Sequence, residues 1–223
     1  MPKAISIKGA LGFGWASFKT HWKFLLLALL FIYFLGGASN YLQKGFFKDI
    51  EPTASLIGAG MSIFLAWIYF NAMRTLLMIV DGKTPTLNEL FVWDKSFITY
   101  LITSVIYGIV VVVGFVLLVV PGIYFTLRYG MYTYVIVDKK LGPFEALRES
   151  ARLTDGVKWQ LLGLALASFG VMLLGLMAFL VGWFVALPVI AVAYAFVYRS
   201  LVNQSGQTPV APTSQPVAPT PSI

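Results

Sequence analysis

The chain has 223 residues, 59% of them hydrophobic and only 11% charged, where a soluble domain carries about a quarter charged. That is the composition of a membrane protein. It has no cysteine, which excludes disulfides, thiolate chemistry and cysteine metal sites, and its net charge of +7 has to be read by position before a nucleic-acid partner is invoked.

Phe24 to Leu35 has the apolarity of a signal-peptide core, but further apolar regions follow along the whole chain, so it reads as a first span. Four apolar regions stand out: Phe24 to Leu42, Ala54 to Val80, Phe97 to Val137 and Leu161 to Val202. A helix needs about 20 residues to cross the hydrocarbon, so the last two regions, of about 40 residues, each hold two crossings. Pro121-Gly122 breaks the first and Gly182 the second, with Pro188 able to kink the helix after it. The expectation is an all-α polytopic membrane protein with six transmembrane helices, 24–42, 54–80, 97–120, 121–137, 160–181 and 183–202, in three hairpins. Residues 203–223, with five prolines, no charge and PVAPT twice, read as a disordered tail.

Basic residues set the orientation. Lys3, Lys8, Lys19, Lys23, Lys83, Lys95, Lys139, Lys140, Arg148, Arg152, Lys158 and Arg199 fall on one side of a six-span chain, and only Lys44 and Lys48 on the other. Both termini are therefore expected to be cytoplasmic. The positive charge is topology bias, strengthened by attraction to anionic lipids, and no nucleic-acid partner is expected.

An amphipathic segment introduces each hairpin: ISIKGALGFGWASFKTHWKFLLL, PTLNELFVWDKSFITYL and GPFEALRESARLTDGVKWQLLGL. In the third, Phe144, Leu147 and Ala151 recur at helical spacing, Glu145 with Arg148 and Glu149 with Arg152 make i,i+3 pairs, and Gly142-Pro143 suits a helix start. Trp22 and Trp159 mark entry into the membrane. The hairpin exits echo each other too. YFNAMRTLLMIVD ends at Asp81 and YFTLRYGMYTYVIVD at Asp138, with Arg199 nearer the end of the third hairpin, which suggests a tandem triplication.

Arg128, within the fourth expected span, is the leading candidate for contact with an anion or lipid, accompanied by Tyr124, Tyr129 and Tyr132; Arg74 is a second, nearer its span's end. No Asp, Glu or His lies inside an expected span, which argues against ion-driven pumping. Lone His21 cannot form a histidine-rich metal centre, and no metalloprotease motif, phosphate-binding glycine loop or recognisable triad occurs, so no catalytic residue, metal or cofactor is expected. Gly163 with Gly170 and Gly175 with Gly182 have a spacing suited to close helix packing.

PGIYFTLRYGMYTYVIVD followed by LGPFEALRESARLTDGVKWQLLGL resembles bacterial six-span membrane proteins allied to the membrane domain of glycerophosphoryl diester phosphodiesterases, through Pro121, Gly122, Ile123, Arg128, Asp138, Gly142, Ala146, Ser150, Leu153, Trp159 and Gly163. The resemblance implies six-helix architecture. In fusions the chemistry belongs to a soluble domain that these residues do not include, so hydrolysis is not expected. The expected function is a non-enzymatic membrane scaffold or accessory protein, with membrane lipids and a membrane protein as partners. The alternatives are a carrier or channel for an anionic or lipid-like solute using Arg128 and, behind it, a membrane enzyme.

Overall fold

The computed structural model describes residues 4–41, 53–177 and 181–206. Among these the regular structure is all helical: α1 Ile7–Tyr41, α2 Thr53–Val80, α3 Ser96–Leu117, α4 Val119–Tyr129, α5 Tyr132–Lys139, α6 Pro143–Thr154, α7 Lys158–Met177 and α8 Val181–Gln204, with a short 3-10 turn over Leu87–Phe91. Among the described residues, five helices are long and apolar enough to cross a membrane: Ile7–Tyr41, Gly58–Val80, Ser96–Leu117, Lys158–Met177 and Gly182–Gln204.

The expected fourth span, 121–137, is not one helix. It is divided into α4 and α5, 11 and 8 residues long, each too short to cross about 30 Å of hydrocarbon alone. Nor does the chain turn at Pro121-Gly122. The reversal lies at Leu118, whose extended backbone (φ −167°, ψ 155°) separates α3 from α4. Pro121 falls inside the first turn of α4, where a missing N–H removes no intrahelical bond, and Gly122 lets α4 close on α3, since a Cβ there would meet the Phe115 ring at 2.5 Å.

The first amphipathic segment is continuous with its span in α1, interrupted by a kink at His21 (φ −114°, ψ 22°). The second holds only the 3-10 turn before α3 begins, and the Asp94 carboxylate accepts the Ser96 N–H at 2.9 Å at that start. The third is a separate helix, α6, begun by Gly142 and Pro143. Its buried face differs from expectation. Phe144 is 72% exposed, while Ala146, Leu147, Ser150, Leu153 and Thr154 turn inward. Glu149 does pair with Arg152, at 2.9 Å, but Glu145 accepts the Gly142 N–H instead of engaging Arg148.

At the end of the chain, Asn203 and Gln204, expected to begin the tail, close α8; residues 207–223, which hold the rest of that tail, lie outside the described residues, as do Lys3, Lys44 and Lys48.

The core is centred on α8, whose Val192, Ala193, Ala195, Val197, Tyr198, Leu201 and Val202 are buried against α1, α2, α6 and α7. One end of the bundle gathers several helix termini. Ala4 and Ile5 donate backbone N–H groups to Gln204 and Gln160 at 2.9 and 2.6 Å, and Lys140 meets Asp94 at 3.4 Å. Much of the flank is apolar and bare: Val116 to Val120, at the α3–α4 elbow, are all exposed. Of the expected glycine pairs, Gly175 and Gly182 do approach each other, a Cβ on either meeting the other's backbone below 3 Å, whereas Gly170 faces open space.

The tightest glycine was not anticipated: a Cβ on Gly14 in α1 would collide with the Val189 carbonyl oxygen of α8. Backbone cannot yield as a side chain does, so Gly14→Ala should lower stability by about 1–3 kcal/mol. Gly170→Ala should not destabilise, and thermal unfolding of the two variants side by side checks both.

Candidate functional site

Two polar assemblies stand out, and the larger one was not anticipated. Helices α2 and α5 run out at Asp81 and Asp138, and α8 brings Arg199 between them. The guanidinium donates through one terminal nitrogen to Asp138 Oδ1 at 2.6 Å and through the other to Asp81 Oδ2 at 2.7 Å. The Tyr198 hydroxyl donates to the remaining Asp138 oxygen at 2.8 Å, and the Tyr198 ring stacks on Tyr134 at 5.5 Å. The Asp138 side chain is only 2% exposed and that of Arg199 11%, whereas Asp81 is open at 34%. A buried carboxylate is tolerable only with its charge paired and its lone pairs used, and Asp138 meets both conditions.

Beside this clasp lies a cavity of about 460 Å³ lined by Val80, Asp81, Phe196, Arg199, Ser200, Asn203 and Gln204. A second, of about 380 Å³, is apolar and lies between α1 and the 3-10 turn. The partner of Asp81 and Asp138 is an arginine distant from both in sequence. The echoing exits of the hairpins were the available signal, since residues at corresponding ends of repeated units can converge.

The second assembly contains the expected site. Arg128 sits in the last turn of α4, and the helix breaks directly after Tyr129. Its guanidinium donates to the Tyr124 hydroxyl and lies 5.7 and 5.9 Å from the Tyr124 and Tyr129 ring centres, within cation–π range. The Lys158 ammonium approaches the same hydroxyl at 3.4 Å and pairs with Asp155 at 3.0 Å. Neither Lys158 nor Asp155 had been placed in this site.

Tyr132 belongs elsewhere. Its hydroxyl shares a 2.9 Å hydrogen bond with Ser104, and its ring packs on Tyr100 and Tyr107 between α3 and α5. Arg74, half-buried in α2, has no hydrogen bond or ion pair among the described residues.

What holds Arg128 in place is α6. A helix break leaves carbonyl and N–H groups without intrahelical partners, and here Ser150 and Thr154 supply them. The Arg128 carbonyl accepts from the Ser150 and Thr154 hydroxyls at 3.2 and 2.9 Å, and the Met131 N–H donates to Ser150 Oγ at 3.2 Å. That accounts for two wholly buried hydroxyl residues on the inner face of an amphipathic helix. Outside the membrane-spanning helices, Glu149 ties α6 to α5 through Lys139 at 2.7 Å. Burial opposes its charge, but hydrogen bonds from Lys139 and Arg152 outweigh that effect and hold its carboxyl below the ordinary value.

No cluster of three His, Asp or Glu able to hold a metal gathers among the described residues. Over residues 56–205 the chain matches the family described as "Protein of unknown function (DUF975)", and it belongs to that family. No curated protein and no solved structure matches it. The family match supplies no link to glycerophosphoryl diester phosphodiesterases.

Removing Arg199 while keeping both carboxylates strands a buried charge, so Arg199→Gln should cost about 3–5 kcal/mol. Adding Asp138→Asn should recover part of that loss, as read by thermal unfolding of the single and double variants. Glu149 generates a pH dependence. Because its folded pKa is lowered, its contribution is complete above the ordinary carboxylate pKa and is lost as pH falls through the lowered folded value. Over that acid window wild type should lose stability relative to Glu149→Gln, as read by unfolding midpoints against pH.

Proposed function

We propose that this member of the DUF975 family is a non-enzymatic polytopic membrane scaffold or accessory protein, in a bacterial cytoplasmic membrane with both termini on the cytoplasmic side. The observation that carries the reading is the use made of the buried ions. Arg199 is clasped between Asp138 and the half-exposed Asp81 across three helix ends, and a guanidinium fixed by two ion pairs suits a fixed hub better than a moving proton or ion path. In the same reading α4 and α5 act together as a broken fourth crossing, giving six. The meeting of Asp81, Asp138 and Arg199 near the ends of α2, α5 and α8 supports descent from three repeated hairpins.

A carrier would need Arg128 to face a polar path between the helices. Arg128 lies instead against Tyr124 and Tyr129, and neither of the two cavities described above includes it. The scaffold would work through its surfaces: an apolar flank for lipid or another membrane protein, and a charged α6 at the cytoplasmic face. The likeness to the membrane domain of glycerophosphoryl diester phosphodiesterases extends to architecture alone.

Protein reconstituted into vesicles should show no protein-dependent release of trapped inorganic phosphate or carboxyfluorescein. A flux present in wild type and abolished by Arg128→Gln, with insertion unchanged, would replace the scaffold by the carrier.

A further inference from the structure

We infer that Arg128 and Lys158, with the Tyr124 hydroxyl between them, form a docking site for a phosphate oxyanion of the kind a phospholipid headgroup presents. The inference rests on the membrane-scaffold reading and adds to it a ligand class and a second cation.

Two positive groups reach one neutral phenol oxygen: the Arg128 guanidinium donates to it and the Lys158 ammonium stands 3.4 Å away. Like charges so close repel unless an anion lies between or beside them. Among the described residues Asp155 is the one carboxylate ion-paired here; it pairs with Lys158, and its side chain is 74% exposed, where such pairs are weak. The Arg128 Nε is buried with no hydrogen-bond partner among the described residues. One carboxylate against two cations leaves the site one positive charge in excess.

The donor set also favours phosphate over a simple halide. A guanidinium presents a planar fork to two oxygens, an ammonium adds a mobile point charge, and a phenol can donate a third hydrogen bond. The surroundings favour phosphate that arrives on a lipid. Leu118, Val119, Val120 and Ile123 are exposed along α4 before Tyr124, and Trp159, next to Lys158, is 85% exposed. A bare aliphatic wall leading to cations and an indole matches the passage from acyl chain to headgroup. Ser150 and Thr154 complete the arrangement as positioning residues, because they hold the carbonyl of Arg128 itself.

The experiment is native mass spectrometry of the full chain titrated with phosphatidylglycerol or phosphatidylcholine, with and without inorganic phosphate. Wild type should bind phosphatidylglycerol preferentially; Lys158→Gln should weaken binding about tenfold, equivalent to about 1.4 kcal/mol. Arg128→Gln with Lys158→Gln should abolish the preference, and Arg128→Lys, which keeps the charge, should retain part of it. Lys8→Gln, a cation on α1, should leave binding unchanged, and unfolding midpoints show that each variant is folded. If inorganic phosphate displaces the lipid, free phosphate is also an occupant; if it does not, while the charge variants lose lipid, the occupant is the lipid headgroup. Equal phosphatidylglycerol binding by wild type and the folded double variant would overturn the site. That result would leave the scaffold standing, whereas Arg128-dependent flux would remove the scaffold and leave the site.

Discussion

A guanidinium held between two carboxylates is the constraint on which this structure turns. Arg199 comes from α8, the most buried of the long helices described, and its partners lie at the ends of α2 and α5. Moving α8 away from α5 would leave the buried Asp138 carboxylate uncompensated, and Asp81 at the end of α2 adds a second, more exposed tie to the same guanidinium. The pairing therefore fixes where three helices end relative to one another, even though apolar packing between them is tolerant of sliding. Tyr198 adds a hydroxyl to the same carboxylate, so its lone pairs are used and its position is set from two directions.

The second organising feature is the unfinished helix between Leu118 and Lys139. Breaking a helix exposes backbone groups, and in apolar surroundings those groups need partners. Ser150 and Thr154 provide them from α6, binding an amphipathic helix to a break in an apolar one. One set of hydrogen bonds thus satisfies the backbone, buries the inner face of α6 and holds Arg128 beside Lys158. The location of the cationic site follows from the repair of the break.

Much of this was legible in the residues. The apolar blocks located α2, α3, α7 and α8 to within a few residues and the C-terminal half of α1, since hydrophobic length is a local property. Gly142-Pro143 marked the start of α6, and an arginine inside an apolar run marked Arg128. The split of 121–137 was not legible: Pro121 drew attention to the wrong place, while the break at Gly130 and Met131 depends on hydroxyls about 20 residues further on. Phe144 misled for a related reason. Periodicity ranks residues by apolarity, and the inner face of α6 was selected for hydroxyls as well as for carbon.

The sequence by itself determined that the chain is helical and apolar, where its long helices lie, and that charge collects in the connecting segments, because each of these depends on neighbours along the chain. Only the tertiary structure decided that Arg199 answers Asp138 and Asp81, 61 and 118 residues away, and that Lys158 joins Arg128 at Tyr124. The physical reason is that a charge finds its partner through space: local periodicity shows which residues must be paired when buried, but the folded path of the chain selects which opposite charge, among several of equal chemistry, comes within hydrogen-bond reach.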